Sequence, residues 1–273
     1  MIKCAELNKE FSTQEDLFKA LLANEKNIID LKKASISKSC DKGQLSTFNL
    51  FKVTDETKSL LGLKEGHIYP VINTTGYRDS HKDVHFPGIW NKSAKEQDGS
   101  IFYVLDHSLK VSDVIAWPSD VKILIKTVPW SFVGKDFEGD TEALIYEIKT
   151  DSIENQNAKD IISKKRPVQN SVRMQYVKIR MAINSTEKEY TTHKAYFDEK
   201  INSIANKDEV MQDGYFFGVE EAKISKEGSM VLFGSNDATP INYTEAGKST
   251  SETEPPAGTQ TEKQKKFVNL NLL

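Results

Sequence analysis

Residues 171–183 read SVRMQYVKIRMAI, and this stretch decides the fold class. Val177, Ile179, Met181 and Ile183 alternate with Lys178 and Arg180, the period-two pattern of a strand with one apolar and one polar face. The same alternation puts Ser171, at the strand's start, on the side of Val177 and Ile179. Outward in both directions the pattern repeats in shorter runs. HIYPVINTTGY (67–77), IFYVLDH (101–107), VKILIKTVPW (121–130) and EALIYEI (142–148) mix β-branched and aromatic residues, separated by Gly, Asp, Asn and Pro. GYFFGVEEAKI (214–224) and GSMVLFG (228–234) add two more strands.

Helices fall at the periphery. ENQNAKDIISKK (154–165) and THKAYFDEKINSIAN (192–206) have helical spacing, the second with Tyr196, Phe197, Ile201 and Ile204 apolar. The clearest helix is FSTQEDLFKALLANEKNIIDLKKA (11–34). Ser12 and Glu15 fit a capping box. Leu17, Leu21, Ile28 and Leu31 form its apolar face, widened by Phe18, Leu22 and Ile29. Lys32 and Lys33 suit the negative end of the helix dipole. Such a face must pack on the main domain or on another copy. The expected fold is therefore α+β: a β-rich core with peripheral helices.

Four segments follow. Residues 1–44 form the N-terminal helix and a linker, SISKSCDKG, and residues 45–241 form the main domain. Residues 242–263 are Ser/Thr/Glu/Pro/Gly-rich and offer too little apolar surface to order themselves, so they read as a flexible linker. The last ten residues, 264–273, end in FVNLNLL, read either as a docking peptide or as a last strand pairing with the body. There are no internal repeats.

Bulk properties narrow the function classes. A length of 273 residues allows one large domain or two small ones. A net charge of −3 gives no support for general nucleic-acid binding. The N-terminus lacks the apolar stretch of a secretory signal, and no window approaches a bilayer span. Cys4 and Cys40 suggest neither a disulfide framework nor a zinc motif. A cytoplasmic setting is expected, with no metal or organic cofactor.

DSHKDVH, at 79–85, tests that last expectation. His81 and His85 would share a face on a helix, as in some metalloenzymes. Yet Gly76 and Pro87-Gly88 bracket the segment, and Val84 and Phe86 alternate as in an extended chain. In a strand the two imidazoles would lie about 13 Å apart, too far for one ion. A polar, charge-lined loop is the expected reading, with a metal-dependent hydrolase as the weakest alternative. For nucleophilic chemistry, which needs a hydroxyl, a base and a group that orients the base, the residues offer His107 at a strand end, Ser171 at a strand start and Glu227 at a turn.

Taken in order, the segments resemble the HK97-type prohead proteases of tailed bacteriophages. The motif D-x-x-x-D-V-x-x-P-G is matched by Asp79, Asp83, Val84, Pro87 and Gly88, and the helix expected after it by Asn91, Lys92 and Ser93. A strand ending in Asp106-His107 follows, then one opening with Ser171-Val172. The last block is Glu227, Ser229, Val231 and the GSN at 234–236. The likeness covers about residues 70–241.

It implies a herpesvirus assemblin-like fold with a barrel-like core, and a serine endopeptidase in which Ser171 is the nucleophile, His107 the base and Glu227 its support. Backbone groups near Ser171 and Val172 would form the oxyanion hole. Arg173 departs from the family's usual glycine: it either crowds the site or lends its guanidinium to the oxyanion. The implied substrates are phage scaffold and major capsid proteins, and the protease itself, inside the assembling prohead in the host cytoplasm. The N-terminal helix would serve self-association or scaffold binding. The alternative is a catalytically inactive homologue acting as a capsid-assembly or internal head protein.

Overall fold

A computed structural model describes residues 1–34 and 50–245. Two short strands, β1 (Ile2–Cys4) and β2 (Lys9–Phe11), pair as a ribbon ahead of the long helix α1 (Gln14–Ala34). The body begins with β3 (Leu50–Lys52), α2 (Asp55–Leu61), β4 (His67–Thr74) and β5 (Asp83–His85). It continues through α3 (Asn91–Gln97), β6 (Phe102–Leu105), β7 (Val114–Ala116), β8 (Val121–Pro129) and β9 (Asp140–Lys149). Then follow α4 (Gln156–Ser163), β10 (Gln169–Ile183), α5 (Thr191–Lys200), α6 (Lys207–Asp213), β11 (Tyr215–Val231) and β12 (Ile241–Tyr243).

The architecture is α+β, with helices around two five-stranded sheets. One runs β10-β11-β6-β7, with β5 also paired to β11; the other runs β3-β12-β4-β9-β8. Neither sheet closes into a barrel among the described residues, so the core expected to be barrel-like is instead a pair of open sheets. Their inner faces share one core: Ile68, Ile72, Leu144, Tyr146 and Ile148 meet Tyr103, Val172, Met174, Tyr176 and Met230. The alternate residues of β4 and β9, Tyr69, Val71, Ala143 and Ile145, enter a second cluster with Leu61, Trp130 and Phe132. Strands β4 and β9 are thus buried on both faces, which explains why they read as near-continuous apolar runs. No helix among the described residues is long and apolar enough to cross a membrane.

Several sequence expectations shift. The helix cap falls one residue later: Thr13 Oγ1 accepts from the Asp16 amide, while Glu15 instead pairs with Lys19. Strand β2 runs through Phe11 and sets that start. Leu31 is exposed and Lys32 faces inward in its place, its ammonium 2.6 Å from Asp83 Oδ1 and over the Phe217 ring. The apolar face of α1 packs against β10 of its own chain, with Leu17, Phe18 and Leu21 buried.

Strand β10 does not alternate uniformly. Met174 and Tyr176 are buried, then a bulge leaves Val177 47 % exposed and hands the inner face to Ile179 and Met181. Ser171 and Ile179 are therefore not related by simple alternation. The two expected terminal strands are one, β11, interrupted by a bulge. Order also extends past Ile241: Asn242 Nδ2 donates to the Phe132 carbonyl, and Thr244 Oγ1 to that of Lys64. The expected interdomain linker, Cys40, the remainder of the flexible tail and FVNLNLL lie outside the described residues.

Candidate active site

The site lies where β11 is flanked by the end of β6 on one side and the start of β10 on the other. Parallel pairing sets Glu227, Gly228, Ser229 and Met230 beside Phe102, Tyr103, Val104 and Leu105. Antiparallel pairing sets Ser229 opposite Ser171 and Gly228 opposite Val172. Directly opposed residues project to the same face, so the Ser171 and Ser229 side chains are neighbours.

After Leu105 the chain turns sharply. Asp106 and His107 both adopt left-handed backbone angles, with φ of 46° and 56°, a conformation costly for residues with a Cβ. The turn is fastened at three points: Asp106 N–H donates to the Met230 carbonyl, Ser108 N–H to that of Leu105, and His107 N–H to Ser229 Oγ at 2.7 Å. Ser229 Oγ in turn donates to the Val104 carbonyl at 3.1 Å. Ser229 is fully buried and committed to this turn, whereas Ser171 keeps 8 % of its surface exposed. That contrast separates a structural serine from a candidate nucleophile.

The turn brings His107 Nδ1 to 2.8 Å from Glu227 Oε1. With Glu227 ionised, Nδ1 carries the hydrogen and Nε2 keeps its lone pair, the tautomer a general base needs. Glu227 reaches the imidazole through the β11 bulge. Between the pairs Val172–Gly228 and Met174–Ile224, three residues, Ser225, Lys226 and Glu227, stand against Arg173 alone. Lys226 has φ of 69°, and Ile224 N–H donates to Ser93 Oγ of α3 at 2.8 Å, which pins the bulge at one end. Bulges commonly re-aim a side chain beside an active site in this way. Arg173 is half-buried, two residues along the strand from Ser171, and Val172 is buried in the core.

Thus the fold gathers His107, Glu227 and Ser171, taken from positions up to 120 residues apart. The His107–Glu227 bond is made; a Ser171–His107 bond is not, and His107 Nε2 is buried without a hydrogen-bond partner among the described residues. Hydrogen bonds of this kind are commonly long or misaligned without substrate and tighten when it binds.

DSHKDVH has a different role. Trp90 Nε1 donates to Asn73 Oδ1, Asn73 Nδ2 to His85 Nδ1, His85 Nε2 to the Tyr176 hydroxyl, and Tyr176 to Asp83 Oδ2. Lys32 closes the chain on Asp83 Oδ1. Asp79 Oδ1 accepts the amides of His81 and Asp83, shaping the loop. The expected polar, charge-lined loop is therefore a buried clasp holding α1 to the core. Both nitrogens of His85 are used, and no group of three or more His, Cys, Asp or Glu gathers as a metal site among the described residues. The clasp meets β11 at Phe217–Val219, eight residues and about 25 Å of strand before Glu227.

Sequence reasoning gave no role to Ser229, Ser93 or Tyr146. Tyr146 is fully buried, and its ring rests on Gly228, where an added Cβ would lie 2.7 Å from Cε2. Ser93 and Ser229 stand within motifs that give no reason for a hydroxyl, and Tyr146 is one aromatic residue of a strand-like run. No protein-family model, curated protein or solved structure matches the chain.

Proposed function

We propose that the chain is a serine endopeptidase of the HK97-type prohead maturation kind, cleaving scaffold and major capsid proteins inside an assembling phage head. The observation that carries this reading is the His107–Glu227 hydrogen bond beside Ser171, with the three residues in the order the resemblance requires. In the proposed mechanism substrate seats Ser171 Oγ against His107 Nε2. The imidazole takes the hydroxyl proton as Oγ attacks the scissile carbonyl, and the Glu227 carboxylate steadies the resulting imidazolium. Collapse of the tetrahedral intermediate expels the amine, which receives the proton from His107. Water, deprotonated by His107, then attacks the acyl carbon, and His107 returns that proton to Ser171 Oγ as the acid product leaves. Arg173, on the Ser171 side of its strand, supplies positive charge toward the oxyanion.

The second reading is an inactive homologue serving in capsid assembly. It draws on the missing Ser171–His107 bond and on Arg173 in place of glycine. Co-expression with the cognate capsid and scaffold proteins separates the two. Processing by the wild type that disappears in Ser171→Ala and His107→Ala supports the protease. Intact substrates with the wild type support the inactive homologue, and processing that survives Ser171→Ala removes the proposed nucleophile.

A further inference from the structure

We propose that Tyr146 is a positioning residue for Glu227, its phenolic hydroxyl donating to the carboxylate oxygen that His107 leaves free. The inference rests on the protease reading and adds a fourth member to its site. Tyr146 comes from β9, in the other sheet, and crosses the core to reach β11. Gly228 stands between Glu227 and Ser229, and a Cβ there would lie 3.0 Å from the Tyr146 hydroxyl oxygen. The phenol therefore sits against the backbone that carries Glu227 and the His107 anchor.

Both Tyr146 Oη and Glu227 Oε2 are buried without a hydrogen-bond partner among the described residues. One is a donor and the other an acceptor, and leaving two such groups unmatched in the same interior is costly. Burial first, and then the Glu227 charge, push the Tyr146 phenol well above its ordinary range, so it keeps the hydrogen it would donate. The other polar groups around Glu227 are placed otherwise. His107 takes Oε1, the Tyr103 hydroxyl donates to Asn170 Oδ1 at 2.6 Å, Arg173 lies across the bulge on β10, and Lys226 precedes Glu227 in the strand. Rotation of the carboxylate, or one bridging water, would join Oε2 to the phenol.

The chemistry gives the pairing a purpose. A carboxylate held at one oxygen still turns about its last bond; a second bond fixes its plane and keeps Oε1 on the imidazole. A phenol does this without bringing positive charge, so the carboxylate retains its full effect on the imidazolium.

The test compares the full-length wild type, Tyr146→Phe and Glu227→Gln. It reads the proton NMR signal of His107 Nδ1–H, the urea unfolding midpoint, and kcat and KM on scaffold protein. In Tyr146→Phe the expected results are a shifted, faster-exchanging Nδ1–H signal and a lower unfolding midpoint. The kcat should fall on the order of tenfold at unchanged KM, the usual scale for an outer-shell partner. An unchanged signal and kcat, with a raised midpoint, overturn the proposal, because an unpartnered hydroxyl is stabilising to remove. If the signal moves in Tyr146→Phe but the wild type cleaves nothing, the pairing stands and the protease reading fails.

Discussion

Replacing Ser229 with alanine removes one oxygen and two hydrogen bonds at the base of the His107 turn. The His107 amide loses its acceptor at 2.7 Å and the Val104 carbonyl loses a donor at 3.1 Å. A buried donor left unsatisfied costs about 1–3 kcal/mol, and the amide is the more serious loss because a carbonyl has a second lone pair. Against this, Asp106 and His107 hold left-handed angles that each cost roughly 1–2 kcal/mol. Once unfastened, the turn relaxes and recovers part of that strain. The net loss of stability should be about 1–3 kcal/mol, small enough to leave a folded domain of ordinary stability.

Activity should suffer more than stability, because relaxation moves the imidazole. A displacement of about 1 Å costs on the order of 100-fold in rate. Urea unfolding followed by tryptophan fluorescence, with cleavage kinetics on scaffold protein, measures both quantities. Ser229→Cys, which keeps a weak acceptor, should fall between alanine and wild type. A Ser229→Ala protein within about 0.5 kcal/mol and twofold in kcat of wild type would refute the anchoring argument, since that is the range of an unimportant surface change.

Two further predictions address the clasp and the oxyanion. Lys32→Met leaves Asp83 buried and short of its cation, so unfolding should become easier by about 3–5 kcal/mol, with much of the loss restored in Lys32→Met/Asp83→Asn. The same pair has a pH signature. Burial pulls the Lys32 ammonium down, but the Asp83 and Glu6 carboxylates outweigh it and hold the group above its ordinary 10.5. Its contribution is therefore complete below that value and lost as pH rises through the raised one, a decline in urea midpoint that Lys32→Met should lack. Arg173→Gly installs the glycine usual in the family that the sequence resembles; the expected result is a fall in kcat, as for loss of an oxyanion partner, and a rise would instead mark the guanidinium as an obstruction.

The parts of the fold set by local pattern were legible in the sequence. The apolar runs of β4 and β9, the long β10 and the apolar stretch of α1 follow from side-chain periodicity alone. What escaped depends on partners distant in the chain. The switch of inner face at Val177 and the three-against-one bulge that carries Glu227 both arise in the β10–β11 register, the latter pinned at Ile224 by Ser93. The segment around His85 reads as a polar, charge-lined loop because its neighbours are charged, yet Asn73 and Tyr176 arrive to engage both nitrogens of His85, and Lys32 arrives to pair with Asp83. The helix α2 was missed although Thr54 and Gly62 cap it in the usual way, its seven residues giving too little periodicity to read. Of the site, the identities of His107, Ser171 and Glu227 came from a resemblance in order and motif; their convergence came from topology.

Maturation of a co-expressed capsid and scaffold by this chain, compared with its Ser171→Ala variant on a denaturing gel, tests the central claim most directly. Processed capsid and scaffold bands with the wild type, and full-length bands with Ser171→Ala, are the predicted result. The same processed bands from Ser171→Ala would contradict it.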